Sequence, residues 1–367
     1  MARSRLTGAI ETMLEEAGRF AHEVVAPLVE HPEQVLPAAQ LEALTGQAAE
    51  VGLLPAGPKD DGLWGPAEGR TGFSLDALRL LAEVNGGVAF HLHRLALATR
   101  LRARLGLPGS STAVAVSLQG HYGLGRQALP RLLAGRPLDS ADIALLTDYF
   151  DLARHARVVV GGPWQTLIVA GFDGTHILWQ EVARTQCAVE ARPHSHGFDE
   201  LQTSTVRRTA TAVPAGTADT AAYTEAFYLD SLGMTAIAAG LVDRGLDLAR
   251  AYAGQRRQGG VLVETFPAVA QMLGQISATA RTATQQLAWF KEQDPTGEAL
   301  AGLCAVRSTF HPACCVATNN AMQVFAGRGY MQDFGVEKLV RDANALRVLG
   351  GTPVELGLFV AEWERAR

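Results

Sequence analysis

The chain has only four cysteines in 367 residues, Cys187, Cys304, Cys314 and Cys315, and no two of them form a CxxC pair. Zinc sites and disulfide frameworks need thiols paired at set spacings, so neither is expected; free buried thiols in a reducing compartment are. A basic excess is missing too. Lys and Arg number 32 against 37 Asp and Glu, a net charge of −5, which argues against nucleic acid or an anionic membrane as the main partner. The longest apolar stretches, such as LGMTAIAAGLV, fall short of the ~20 residues that cross a bilayer. The opening MARSRLTGAIETMLEEAGRF mixes acids into an amphipathic pattern with no apolar core before a cleavage site. No secretory signal and no membrane span are therefore expected, and the expected location is cytoplasmic.

What is present reads as a globular protein: 48% hydrophobic and 19% charged residues, in a chain long enough for two or three cores. The fold class expected is α+β, mainly helical. Residues 1–140 read as a helical domain, with Leu78, Leu81, Val84 and Val88 on one stripe and AFHLHRLALATRLRARLG as a second helical run. Residues 141–218 read as a small β-domain. IALLT, ARVVV, TLIVAGF and THILWQ are short runs broken by GGP and DGT, and HSHGFDELQTSTVRRTATAV adds more strand. Residues 219–367 read as a four-helix bundle.

The first helix of that bundle carries Asp230, Met234, Ile237, Leu241, Gly245, Leu248 and Tyr252 at spacings of four and three, an apolar stripe with one acid at its head. PAVAQMLGQISATARTATQQLAWF, HPACCVATNNAMQVFAG and VEKLVRDANALRVLG supply the other three. Between the last two, Ala326, Gly327 and Gly329 let a backbone approach another group closely, and Gln323 reaches the same place with its amide. On spacing alone this is equally a tight turn between helices.

The stretch from Ala321 to Thr352 resembles the C-terminal signature of the acyl-CoA dehydrogenases. QVFAGRGY stands where that family has Gln-x-Phe-Gly-Gly-x-Gly-Tyr, and EKLVRDA and GGT follow at the family's spacings. ARAYAGQRRQGG followed by FPAVAQML is similar to its Arg-Lys-Gln-Phe-Gly segment, with Gly259 in place of Phe. The resemblance implies FAD shared between subunits. Arg256 would pair with the diphosphate of a neighbour's FAD, Gln323 and Gly327 would contact its adenine side, and Thr352 its flavin side. In LLTDYF, Thr147 and Asp148 stand where the family has Leu-Thr-Glu-Pro, so the resemblance makes Thr147 a further FAD-binding residue through its hydroxyl, but the Gly-Ser-Asp loop that follows in the family is absent and the β region is shorter.

Dehydrogenation of an acyl thioester needs a base for the α proton while the flavin takes the β hydride. The family's usual base is the Glu of Tyr-Glu-Gly-Thr. Here Leu349 and Gly350 stand in place of that Tyr and Glu, and Glu355 comes several residues later. Some members carry the base on the long helix instead, a position that falls on Asp230. Burial on an apolar stripe would raise its pKa into a useful range; the bland alternative is an acid in the first turn of a helix. His91 and His93, on the helix that the resemblance places along the acyl pocket, are alternative acid/base or polar-binding residues, or hydrogen-bonded core histidines.

The resemblance thus implies FAD-dependent α,β-dehydrogenation of an acyl-CoA or acyl-carrier thioester with an unusual acyl group. It also implies a homo- or hetero-oligomer and a flavoprotein electron acceptor. Two rival readings stay open. One is a catalytically incomplete subunit of a hetero-oligomeric dehydrogenase. The other is a non-oxidative hydratase, dehydratase or lyase on the same fold. No metal site is expected.

Overall fold

The computed structural model describes residues 2–29, 34–55, 62–107, 113–118, 128–193, 195–209 and 216–367. Helices come first: α1 (Ala2–Phe20), a π-helical turn (Ala21–Val25), α2 (Ala26–Leu28), α3 (Ala38–Glu50), α4 (Arg70–Val84) and α5 (Gly86–Leu105). Asn85 separates the last two. Its extended backbone ends α4, and its side chain accepts from Val88 N at 2.8 Å to start α5. The stripe expected from Leu78 to Val88 is therefore split between two helices.

Next come β1 (Val114–Ser117), α6 (Ala128–Leu133), α7 (Ser140–Phe150), β2 (Arg157–Gly161), β3 (Thr166–Phe172), β4 (Ile177–Ala183), β5 (Cys187–Ala191), β6 (Gln202–Arg208) and β7 (Thr217–Ala218). One sheet has the order β1-β3-β4-β7, with β1 parallel to β3; the other is β2-β6-β5, antiparallel throughout. β1 joins its sheet from ahead of position 141. The strand expected at IALLT is instead the middle of helix α7. Asp139 and Asp142 form a reciprocal capping box, and Asp142, Leu146 and Phe150 are buried at a spacing of four. A cap and a helical period outweigh the two β-branched residues of that run.

Strand β3 is buried on both faces. Leu167 and Val169 join Val159, Val182 and Val206 in a small core between the two sheets, while Ile168 and Ala170 pack into the main helical core. This reads in sequence as an unbroken apolar run.

The C-terminal part is built on α8 (Thr220–Ala253), followed by a short β8–β9 hairpin (Arg257–Gln258, Val261–Leu262), α9 (Pro267–Phe290), α10 (Gly297–Val324), α11 (Val336–Val348) and α12 (Pro353–Ala366). From Ala222 to Val242 every residue of α8 is buried, because α4, α5, α9, α10 and α11 surround it. Met234, Ile237 and Leu241 are fully enclosed, each worth roughly 1.5–3 kcal/mol of burial. α10 starts well before HPACC and runs through Pro312, which leaves one carbonyl of the preceding turn without its helical donor. Among the described residues it is the one helix long and apolar enough to cross a membrane, and half of its apolar window is buried inside the fold. α12 was not anticipated, although Thr352, Pro353 and Glu355 form a capping box with Pro in the first turn.

A buried ionic knot ties the three regions together. Lys338 Nζ lies 2.9 Å from Glu200 Oε1 and 2.6 Å from Asp342 Oδ2. Asn85 Nδ2 donates to Glu200 Oε1 at 2.6 Å, and Phe198 N donates to Asp342 Oδ1 at 2.8 Å. The EKLVRDA segment thus clamps the β5–β6 loop and the α4–α5 turn against α11.

Candidate active site

Asp230 sits in the first third of α8 and is 1% exposed. Its Oδ1 accepts from Arg94 Nη1 at 2.7 Å and lies 3.2 Å from His93 Nε2. On the other side of the ring, Trp64 Nε1 donates to His93 Nδ1 at 2.9 Å. An indole N–H can only donate, so Nδ1 is the acceptor and the ring hydrogen is on Nε2, pointing at Asp230. His93 is thus a neutral, doubly satisfied imidazole, and burial lowers its pKa further than the Asp230 hydrogen bond raises it. Gly233 makes this packing possible, since a Cβ there would overlap the His93 ring.

The raised pKa expected at Asp230 is not found. Burial pushes the carboxyl up, but Arg94, the His93 hydrogen bond and more distant Arg307 together hold it below the ordinary value. It is a buried carboxylate kept ionised by its partners.

His91 projects elsewhere. Its Nε2 lies 3.2 Å from Thr45 Oγ1 on α3, and burial depresses its pKa to about 4. With Arg94 it lines a cavity of about 20 Å³ between α5 and strands β1 and β2. The two histidines, both candidates in the sequence, therefore serve different neighbours. A larger hollow of about 600 Å³ opens beyond Trp64, beside Arg100, Glu225, Tyr228 and Lys291.

Gly350, in place of the family's usual base, has φ +73°, a conformation that disfavours a side chain. A Cβ there would overlap Met234 Cε and lie 3.2 Å from Arg307 Nη1. Arg307, fully buried on α10, donates to Ser231 Oγ at 3.0 Å, to Leu349 O at 2.8 Å and to Gly350 O at 3.3 Å. Beside it, His311 Nδ1 lies 3.1 Å from Leu346 O, and burial with the nearby Arg307 charge lowers its pKa to about 3. Arg307 was not anticipated. Its signal is Leu300, Cys304, Arg307, His311, Cys314 and Thr318, a buried stripe at helical spacing with two basic side chains in it.

The residues assigned to FAD divide into two sets. At one end of the bundle the Tyr252 ring stacks on Phe325, centroids 4.3 Å apart, which brings the C-terminal ends of α8 and α10 together. Arg256 is exposed just beyond α8, Gln323 Nε2 donates to Tyr330 OH at 2.7 Å, and Gly327 has open space around its Cα. These three lie at the end of the bundle that the stack joins, beyond the C-terminal ends of α8 and α10. The flavin-side pair has local hydrogen-bond partners of its own. Thr147 lies within α7 and donates to Ile143 O at 2.8 Å, while Thr352 caps α12 and donates to Glu355 Oε2 at 2.9 Å.

Comparison with known proteins is consistent with this geometry. Residues 220–362 match the family model described as acyl-CoA dehydrogenase, C-terminal domain. "Probable acyl-CoA dehydrogenase YngJ" of Bacillus subtilis is 31% identical over 135 residues, 35% of this chain and 34% of that protein. The short-chain specific acyl-CoA dehydrogenase of Clostridium acetobutylicum is 31% identical over 130 residues, 33% of this chain and 32% of its own. The chain thus aligns with about a third of the length of these curated relatives. In structure, a glutaryl-CoA dehydrogenase from Mycobacterium smegmatis in complex with FADH2 superposes with TM-score 0.72, covering 98% of this chain and 95% of the other at 12% identity. That last likeness shows the fold.

Proposed function

We propose that this chain, whose C-terminal domain belongs to the acyl-CoA dehydrogenase family, works in the FAD-dependent α,β-dehydrogenation of an acyl thioester. The observation that carries the reading is the surface joining Arg256, Gln323 and Gly327, which is open, cationic and held in place by the Tyr252–Phe325 stack. Arg256 would pair with the diphosphate and Gln323 would turn its amide to the adenine, in an assembly of at least two subunits. FAD, when bound, supplies the acceptor for the hydride; a second flavoprotein would then take up the electrons. Arg256→Ala tests this. It should lower FAD affinity about ten- to a hundredfold, read by flavin absorbance and equilibrium dialysis. Unchanged flavin content would remove Arg256 from the site.

A second reading is favoured by the closed space at Gly350: the chain is the incomplete member of a hetero-oligomer, lending its Arg256 surface to a flavin seated in a related subunit. Arg307 and Met234 occupy the position from which the family's usual base projects. Asp230 serves as the base only after leaving Arg94 and His93. FAD stoichiometry separates the readings. One FAD per chain in the purified protein supports self-sufficiency; a colourless protein that gains flavin only with a related subunit supports the incomplete member.

A further inference from the structure

Two hydrogen bonds fix how the His91 ring carries its hydrogen. Thr45 Oγ1 donates to Leu41 O at 2.7 Å, so toward His91 Nε2 it can only accept. Nε2 is therefore the N–H and Nδ1 holds the lone pair, with no hydrogen-bond partner among the described residues. Because burial holds the ring neutral down to about pH 4, that lone pair is available throughout the physiological range. Arg94, which shares the small cavity with His91, donates once to Asp230 and has further N–H groups on its guanidinium. The rest of the lining is mostly apolar, and about 20 Å³ is room for a single water-sized group.

We infer that His91 and Arg94 form a receptor for one neutral O–H group, whose hydrogen goes to His91 Nδ1 and whose oxygen accepts from Arg94. A carboxylate would face the Nδ1 lone pair, an ammonium would face Arg94, and a methyl would leave both polar groups unsatisfied. The O–H belongs either to the acyl group, making the substrate a hydroxyacyl thioester, or to a bound water. Thr45 is the positioning residue, because it selects the tautomer. The inference rests on the acyl-thioester reading for its ligand and on the structure alone for the receptor.

The test measures dissociation constants of the FAD-loaded assembly for butyryl-CoA and for 2-, 3- and 4-hydroxybutyryl-CoA. A crystal structure without acyl-CoA accompanies it. A substrate hydroxyl predicts that one hydroxylated isomer binds about tenfold tighter than butyryl-CoA. That gap should vanish in His91→Leu and narrow in the milder Thr45→Val. A water predicts no gap, but an ordered solvent peak bridging His91 Nδ1 and Arg94 that is lost in His91→Leu. A dry cavity with no gap, or a gap that survives His91→Leu, overturns the receptor. Failure of all four thioesters to bind while the bridging water is present would sink the acyl-thioester reading and leave the receptor standing.

Discussion

Lowering the pH from 7.5 to 5 should cost this fold about 4 kcal/mol through two residues, His91 and His311. Both are buried, and their pKa values fall from 6.5 to about 4 and about 3. The unfolded chain returns each imidazole to about 6.5. At pH 5 the unfolded form of each gains about RT ln(1 + 10^1.5), close to 2 kcal/mol, from taking a proton, and the folded form gains almost nothing. Stability from these groups is thus whole above about pH 6.5 and erodes as the pH falls toward the folded values. Against a typical total of about 5–15 kcal/mol, that loss is large. His93, whose pKa is also lowered, acts in the same direction; Glu200, whose pKa burial raises, opposes it. The clean measurement is therefore a difference. Urea unfolding of wild type and of the His91→Gln/His311→Gln double variant at both pH values should show wild type losing about 4 kcal/mol more. A difference under about 1 kcal/mol would mean that these rings are already protonated, or solvated, in the native protein.

Asp230→Asn should destabilise by about 3 kcal/mol, because it leaves Arg94 without its carboxylate beside a buried ring; thermal unfolding reads this, and a Tm within a degree of wild type would show the pair to be dispensable. Gly233→Ala should cost about 1–3 kcal/mol and disturb the Trp64 fluorescence environment, since its Cβ meets the His93 ring. Gly350→Glu should be poorly tolerated in wild type and cost less in a Met234→Ala background, as Met234 Cε then no longer overlaps its Cβ; equal stability losses in both backgrounds would contradict the crowding. Lys338→Met should destabilise by about 3–5 kcal/mol at pH 8 and by less at pH 5, because buried Glu200 loses its cation and regains stability by taking a proton.

The sequence was most legible where one residue type decides the local conformation. TLIVAGF is β3 to the residue, because an unbroken apolar run bounded by turns fits a strand buried on both faces. The α8 stripe led to a central helix, although a period of 3.6 could not reveal that the opposite side is buried as well. The glycines near Gln323 and the exposed Arg256 lie just beyond α10 and α8, whose ends the Tyr252–Phe325 stack joins. The strand expected at IALLT failed because its composition was read without the Asp139 cap. α12 went unseen because Thr352 was read for a ligand role rather than for its capping role with Glu355.

The site itself was half legible, for a physical reason. A sequence shows which groups can titrate, but their chemistry is set by partners far along the chain. Asp230 was singled out as the lone acid of an apolar stripe, and burial alone would have made it a base. What reverses that is Arg94, 136 residues away, together with the His93 tautomer imposed by Trp64. The same holds at residue 350. The missing Glu was visible, but the replacement of its space by Arg307 and Met234 was not. The glycine and its surroundings fit one another: a residue with φ +73° accepts no side chain easily, and the buried guanidinium bonds to the backbone carbonyls of residues 349 and 350. A side chain at 350 would meet Met234 Cε first and the Arg307 guanidinium next, so the backbone angle and two buried neighbours both stand against it.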